Sequence, residues 1–315
     1  MANLKPSALK RAAFMPKPTG NDLKTIRQSL LWATNALSGF ENPAYEAQWL
    51  LTHVLGLKTH ELVLNASIPL SNRQKKTFFE FIEKRLQHEP AQYITGTAFF
   101  MGLEFKVTRD TLIPRPETET LAIEAISALK AIKGRVASPV ALDLCTGSGC
   151  VAIAIASVFK DILVYATDAS ARALNTARKN AVAHNAGDRV RFVKGDLYEP
   201  VKRLNLKGKI SLIVSNPPYI AKKDLAGLAP EIRNFEPKKA LCGGIDGLDF
   251  YRRIIPQAPD YLSRGGYLLL EMGYDQAAAV KKIALKTGAF EDMEAIKDLS
   301  GIKRVFKARH IVHTP

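Results

Sequence analysis

Val140-Ala141-Leu142-Asp143-Leu144-Cys145-Thr146-Gly147-Ser148-Gly149 is the stretch on which the reading of this 315-residue chain turns. Its first half is an apolar run of the kind found in a strand buried on both faces. The glycines Gly147 and Gly149 then make a turn that lets backbone approach a ligand closely, and Cys150 to Ser157 continues as a helix. A strand, a glycine-rich turn and a helix are the opening of a nucleotide-type α/β domain. A GxG pair alone carries little weight, so the segments that follow must supply the rest.

They do so in series. Val164-Tyr165-Ala166-Thr167 reads as a second strand closed by Asp168, an acid placed to accept both ribose hydroxyls of a nucleoside. Val190 to Val193 is a third, followed by Gly195-Asp196-Leu197 at the position of an adenine edge. The fourth, Ile210 to Ser215, runs into Asn216-Pro217-Pro218-Tyr219. Beyond it, a helix near Phe250 to Leu262, a strand Gly266 to Glu271, a helix Gln276 to Leu285 and strands about Phe290 to Ile296 and Arg304 to Lys307 complete seven strands in one α/β sheet.

Ligands of such sheets bind at the C-terminal ends of the strands, which puts Asn216 to Tyr219 at the chemistry. Two consecutive prolines fix φ and restrict the residues before them, so this loop is stiff. Neither proline has an N–H. The loop therefore offers carbonyl acceptors, the side-chain oxygen of Asn216 and the ring of Tyr219, a surface suited to a planar NH2 group. An amide nitrogen is a poor nucleophile because its lone pair is delocalised. Holding both its N–H bonds aims that lone pair, and orientation of this kind is worth up to about 7 to 11 kcal/mol.

The front half of the chain has a different period. Met1 to Gly20 is basic and free of acids, and is expected to be a disordered tail in preference to a transit peptide. Residues 21–90 read as a small helical bundle: Asn21 caps a helix through Ile26, Leu30, Ala33 and Leu37, Asn42 and Pro43 start a second that Gly56 stops, a short helix lies around His60 to Leu64, and Ser71 starts a third long one closed by Pro90. Its apolar stripes are core, and its role would be to bind a partner. Residues 91–113 alternate like a β-hairpin linker, and 114–315 form the α/β domain, entered through Leu112-Ile113-Pro114-Arg115-Pro116-Glu117-Thr118-Glu119.

Composition narrows the class. Apolar residues make up 47% of the chain, yet no run approaches the ~18 residues of a membrane span. Three cysteines without a CxxC pair and six scattered histidines indicate neither a metal site nor a disulfide framework. A reducing, cytoplasmic setting is expected, mitochondrial or plastid if the tail is a transit peptide. A net charge of +15 points to an anionic partner, RNA or something that works beside RNA. The sequence does not set the oligomeric state, and a monomer is the default expectation.

The first turn lacks the third glycine of the dinucleotide fingerprint and the Lys-Ser/Thr of a P-loop, so the sheet is built for a nucleoside without a phosphate chain. S-adenosylmethionine fits: Asp143 and the loop face its methionine part, Asp168 its ribose, Asp196 with Leu197 its adenine. It also brings the activated methyl group that the Asn216 loop needs. The ordered set Leu112 to Glu119, Asp143 to Gly149, Asp168, Asn216 to Tyr219, Phe235-Glu236-Pro237, Ala240-Leu241 and Gly243-Gly244-Ile245-Asp246-Gly247-Leu248 resembles the HemK-type protein glutamine methyltransferases, over roughly residues 21–310.

That resemblance implies a seven-stranded Rossmann-like methyltransferase domain behind the helical bundle. It implies methylation of the side-chain amide of the glutamine in the Gly-Gly-Gln motif of peptide-chain release factors. Carried over by motif, Cys145, Thr146, Gly147, Ser148, Gly149 and Asp168 bind S-adenosylmethionine, Leu197 lies by the adenine, and Asn216, Pro217, Pro218 and Tyr219 hold the glutamine. Cys145 and Leu197 depart from members that carry glycine and tryptophan there. A sibling group modifies a ribosomal-protein glutamine; Pro116 to Glu119 favours the release factor. Amino methylation of adenine or guanine in nucleic acid, and a non-catalytic RNA-binding scaffold, are the rival readings.

Overall fold

A computed structural model describes residues 22–132 and 138–311. The basic tail and the expected cap Asn21 lie outside the described residues. The chain divides into two units, one comprising the residues up to Gly96 together with Pro230–Phe235, the other Thr97–Ala229 with everything from Glu236 on.

The first unit is helical: α1 Ile26–Ala36, α2 Pro43–Leu55, α3 Thr59–Leu64 and α4 Asn72–Leu86, with a short helix Ala91–Thr95. Two capping boxes start its long helices. Thr25 and Gln28 exchange hydrogen bonds at the head of α1, and Ser71 and Gln74 do so at α4, each satisfying amide N–H groups that a helix terminus leaves open. Pro43 sits in the first turn of α2, where a missing N–H costs nothing, and Gly56 takes the left-handed conformation that ends it. Leu37, Leu50, Leu51, Phe78 and Ile82 are fully buried between the helices. Arg85, almost fully buried, is held by Glu46 and Glu231 and lies 3.8 Å over the ring of Phe40. Glu231 belongs to the Pro230–Phe235 helix, so this cluster ties that late segment into the helical unit. Deleting one member would strand a buried charge, at a cost of about 3 to 5 kcal/mol.

The second unit begins with the hairpin β1 Thr97–Phe100 and β2 Leu103–Lys106, then α5 Pro116–Ile132. Its main sheet contains β3 Val140–Leu144, β4 Leu163–Asp168, β5 Val190–Lys194, β6 Ile210–Ser215, β7 Leu262–Glu271, β8 Phe290–Lys297 and β9 Lys303–His310, in the order β5-β4-β3-β6-β7-β9-β8. Neighbours from β5 to β7 pair in parallel, and β9 is antiparallel to both β7 and β8. Strand order reverses beside β3, which leaves a crevice at the C-terminal ends of β3 and β6. Every residue of β6 is buried, as expected of the most central strand.

Alternate residues of these strands feed two apolar layers. Ala141, Leu212 and Val214 pack with α5 and with α6 Cys150–Val158 on one face; Leu142, Leu144, Ile210 and Ile213 pack on the other face against Tyr251, Ile254 and Val280. Burial of each such aliphatic side chain contributes about 1.5 to 3 kcal/mol. The helix expected from Phe250 to Leu262 is two pieces, Asp249–Ile254 and Ala258–Tyr261. Pro256 has no N–H to continue the ladder and breaks it. The hairpin is also shorter than its alternation suggested, because Tyr93 lies in the helix Ala91–Thr95.

Candidate active site

A cleft of about 900 Å³ opens at the C-terminal ends of β3, β4, β5 and β6, entirely within the second unit. It is of the size that takes a small-molecule ligand. Of the residues singled out in the sequence, Cys145, Thr146, Gly147, Ser148, Asp168, Asp196, Leu197, Asn216 and Pro218 line it. Gly149, Pro217 and Tyr219 do not.

The loop after β3 is held by its own hydrogen bonds, the Thr146 N–H donating to the Thr167 carbonyl and the Gly149 N–H to the Thr146 carbonyl. Asp143, buried at the end of the strand, accepts from the Thr146 hydroxyl at 2.6 Å. Burial pushes its pKa up to about 7, against the pull of that hydroxyl. Cys145 follows at φ +60, a conformation that costs a residue with a Cβ about 1 to 2 kcal/mol and explains why glycine suits the position. Burial raises the Cys145 thiol well above its ordinary value, so it is a neutral wall. Gly149 is a packing position: a Cβ there would sit 3.1 Å from Cβ of Ala177 and from Cδ1 of Ile153. It sets how closely α6 approaches α7 Ala171–Ala183, and it is not part of the cleft lining.

Asp168 closes β4. Its Oδ2 accepts the Gly147 N–H at 2.9 Å and its Oδ1 the Ser170 N–H at 2.8 Å, so each oxygen is oriented and keeps a lone pair for the cleft. Desolvation raises its pKa and the two N–H groups oppose the rise. Asp196 lies at the exposed rim with its carboxylate on Arg253, while Leu197 is buried and accepts from the Thr167 hydroxyl through its carbonyl. At position 196 the carboxylate therefore has a partner of its own, and Leu197 supplies an apolar wall.

The loop after β6 presents acceptors. Asn216 Nδ2 donates to Thr118 Oγ1 at 3.1 Å, and among the described residues nothing donates to its Oδ1. Gly243 lies against this loop so closely that a Cβ would stand 2.7 Å from the Pro218 carbonyl oxygen and from the Tyr219 Cα. The Gly243 N–H in turn donates to the Ile220 carbonyl. Tyr219 points the other way from its expected place: it packs on the core and its hydroxyl donates to Glu271 Oε1 at 3.1 Å. A phenol in a low-dielectric interior needs a partner, and the buried carboxylate supplies one. Its ring is not part of the cleft lining.

Several residues at the site escaped the sequence reading. Thr118 and Arg115 were visible only as parts of a proline-rich motif, whereas here Thr118 holds Asn216 and Arg115 pairs with buried Glu236. Glu236 also accepts the Ile113 N–H, joining the two loops that flank the cleft. Lys238 and Lys239, both exposed, line the rim and give part of the positive charge an address. Glu271 closes an apolar strand at the same sheet edge as Asp143, Asp168 and Asn216, a signal that position alone could have raised.

The chain matches the sequence model of the PrmC N-terminal domain over residues 28–96 and that of the methyltransferase small domain over 126–232. A release factor glutamine methyltransferase of Geobacter sulfurreducens is 40% identical over 91% of this chain and 98% of its own length. One from Bacillus subtilis is 35% identical over 91% and 98%. The chain belongs to the release factor glutamine methyltransferases.

Membership makes the second unit a methyltransferase domain, and the fold agrees. The hMettl16 catalytic domain, solved in complex with the MAT2A 3′UTR hairpin 6, superposes with a TM-score of 0.52 at 16% identity, covering 75% of this chain and 83% of that one. At that identity the two share a fold and nothing finer. Among the described residues, no helix is long and apolar enough to cross a membrane.

Proposed function

We propose that this chain transfers a methyl group from S-adenosylmethionine to the side-chain amide nitrogen of the glutamine in the Gly-Gly-Gln motif of a peptide-chain release factor. Family membership supports the reaction. The observation that carries the assignment of residues is Asn216, anchored by its NH2 to Thr118 with its oxygen left as an acceptor at the cleft.

The residues fit the donor molecule. Asp168 retains a lone pair on each oxygen for a ribose, the apolar wall of Leu197 suits an adenine, and no phosphate-binding Lys-Ser/Thr follows the loop. Cys145 to Ser148 would lie along its methionine part, near the Asp143 carboxyl. S-adenosylmethionine supplies a sulfonium-activated methyl group when bound. The contribution of the chain is orientation: Asn216 Oδ1 accepts one amide proton, Pro218 walls the pocket, and the Pro217 carbonyl, which stands behind the cleft lining, would accept the second proton of a glutamine inserted between Asn216 and Pro218. No general base is assigned, since a protonated N-methylated amide is acidic enough to give its proton to water. We place the reaction in the cytoplasm, in keeping with three free cysteines.

The test is tritiated S-adenosylmethionine offered with purified release factor, ribosomal protein and RNA. Label on the release-factor glutamine is expected. Label on the ribosomal protein or on RNA alone would move the substrate to the sibling or nucleic-acid reading, and no label at all would leave a scaffold.

A further inference from the structure

The acceptor loop has little with which to hold itself. Pro217 and Pro218 carry no N–H, so between Asn216 and Tyr219 the backbone cannot tie itself down through donors of its own. Its entry is fixed, because Ser215 ends β6 in register with Leu144 and Leu270, and Asn216 Nδ2 donates to Thr118. Its exit is fixed by a residue outside every motif of the site, Gln276.

Gln276 is the N-cap residue of the helix Ala277–Leu285, a place where serine, threonine, aspartate or asparagine usually turns its side chain back onto the helix. Gln276 makes no such bond. Its carboxamide reaches instead to the loop after β6, the loop 243–248, the turn after β7 and the helix Asp249–Ile254. Nε2 donates to the Tyr219 carbonyl at 2.9 Å and to the Gly247 carbonyl at 3.2 Å. Oε1 accepts the Gly273 N–H at 2.9 Å and lies 3.2 Å from the Tyr251 hydroxyl. Turned over, the amide would set its oxygen against two carbonyl oxygens and its NH2 against an N–H, so these partners fix its orientation. A Cβ at Gly247, which sits at φ +79, would collide with the Tyr219 carbonyl oxygen and with Gln276 Nε2. Glycine at that position is what lets the three groups meet.

We propose that Gln276 is a positioning residue for the transfer: its carboxamide clasps the Tyr219 carbonyl and thereby sets where Asn216 Oδ1 and the Pro217 carbonyl stand. The clasp rests on the reading of those oxygens as acceptors for the substrate amide. Two consecutive prolines make the segment a short strut, in which a shift at Tyr219 is not absorbed by rotation about φ and is carried back to Pro217 and Asn216. None of Gln276, Tyr219, Gly247 and Tyr251 lines the cleft, so Gln276 acts through the loop and not on the ligands. Displacing an oriented group by about 1 Å is enough to lower a rate about 100-fold.

The test has two arms and uses the whole enzyme as wild type, Gln276→Met and Gln276→Glu. Methionine keeps the length of the side chain and removes its hydrogen bonds. Its kcat on the release factor should fall about tenfold to 100-fold while cofactor Kd stays within about twofold. Glutamate loses both donors when ionised and regains one, an O–H, when protonated. The ratio of its kcat to that of the wild type should therefore rise at least about threefold between about pH 8.5 and about pH 5.5, whereas methionine, with nothing to titrate, should give a flat ratio.

The second arm needs no substrate. The Ile220 N–H, bonded to the Leu241 carbonyl, and the Gly243 N–H, bonded to the Ile220 carbonyl, should exchange with deuterium at least about tenfold faster in Gln276→Met, with the amides of β3 unchanged. Wild-type kcat in Gln276→Met overturns the clasp. So does a loss shared equally with cofactor affinity, a flat ratio for Gln276→Glu, or faster exchange that β3 shares. An unlabelled release factor with the wild-type enzyme refutes the substrate reading instead, and the exchange arm then decides the clasp alone.

Discussion

Two neighbouring strands of one sheet end in loops of opposite character. After β3 the chain turns through Cys145 to Gly149 and fixes its N–H groups on neighbouring acceptors, that of Thr146 on the Thr167 carbonyl, that of Gly147 on Asp168 and that of Gly149 on the Thr146 carbonyl. After β6 it runs through Asn216 and two prolines, and offers oxygens. The positions on the sheet are equivalent, so the difference comes from residue type alone. Glycine exposes the backbone donor, while proline deletes it. One edge of a parallel sheet thus carries a glycine turn beside a proline loop that offers acceptors, and the proposed transfer uses the two at adjoining places.

If the two loops divide the labour in this way, single substitutions should separate turnover from cofactor affinity. The largest effect is expected for Asn216→Ala: kcat should fall about 100-fold or more, in the range of losing one oriented polar group at a reacting centre. Cofactor Kd, read by calorimetry, should stay within a few-fold. Equal losses in both quantities would erase the contrast between the loops.

Asp168→Ala should do the converse. Loss of charge-assisted bonds to a ligand costs about 1.5 to 3 kcal/mol each, so cofactor Kd should rise by about tenfold to 100-fold while kcat at saturation changes little. An unchanged Kd removes Asp168 from the nucleoside site.

The buried carboxyl beside the acceptor loop leaves a third signature, in stability. Glu271 has a pKa near 7 in the fold against an ordinary 4.5. It therefore binds its proton more tightly folded than unfolded. Its stabilising contribution is complete below about 4.5 and is lost as the pH climbs through 7, with one pKa unit corresponding to about 1.4 kcal/mol. Glu271→Gln should thus gain on the wild type by about 2 kcal/mol between pH 5 and pH 8 in urea titrations. A difference that is flat with pH would mean that Glu271 titrates normally.

The smallest effect probes the glycine turn after β3. Gly149→Ala puts a Cβ against Ala177 and Ile153 at φ +82, and should cost about 1 to 2 kcal/mol of unfolding free energy. That is a fall of a few degrees in the melting temperature of a unit this size. An undiminished melting temperature would show that α6 and α7 have room to part.

How much of this could be read beforehand depends on the distance over which the cause acts. The strand ending in Asp143, the turn behind it and the stiff Asn216 loop are local consequences of residue order, and they were legible. So was the helical front unit, through the Ser71 cap, Pro43 and Gly56. Thr118, Glu236 and Glu271 were not, because their roles come from partners far away in sequence: Thr118 meets Asn216, Arg115 meets Glu236, and Tyr219 meets Glu271.

Tyr219 shows the limit most clearly. Its neighbours in sequence suggested a ring displayed beside the prolines, and nothing in them announces a buried carboxylate. The sequence by itself determined the alternation of strands and helices, the glycine turn and the N–H-free proline loop at adjoining strand ends, and the family, since each follows from backbone restriction and residue order. Only the tertiary structure decided which way Tyr219 points, what holds Asn216, and that Asp143 and Glu271 are carboxyls removed from water, because burial and pairing are properties of segments brought together by folding.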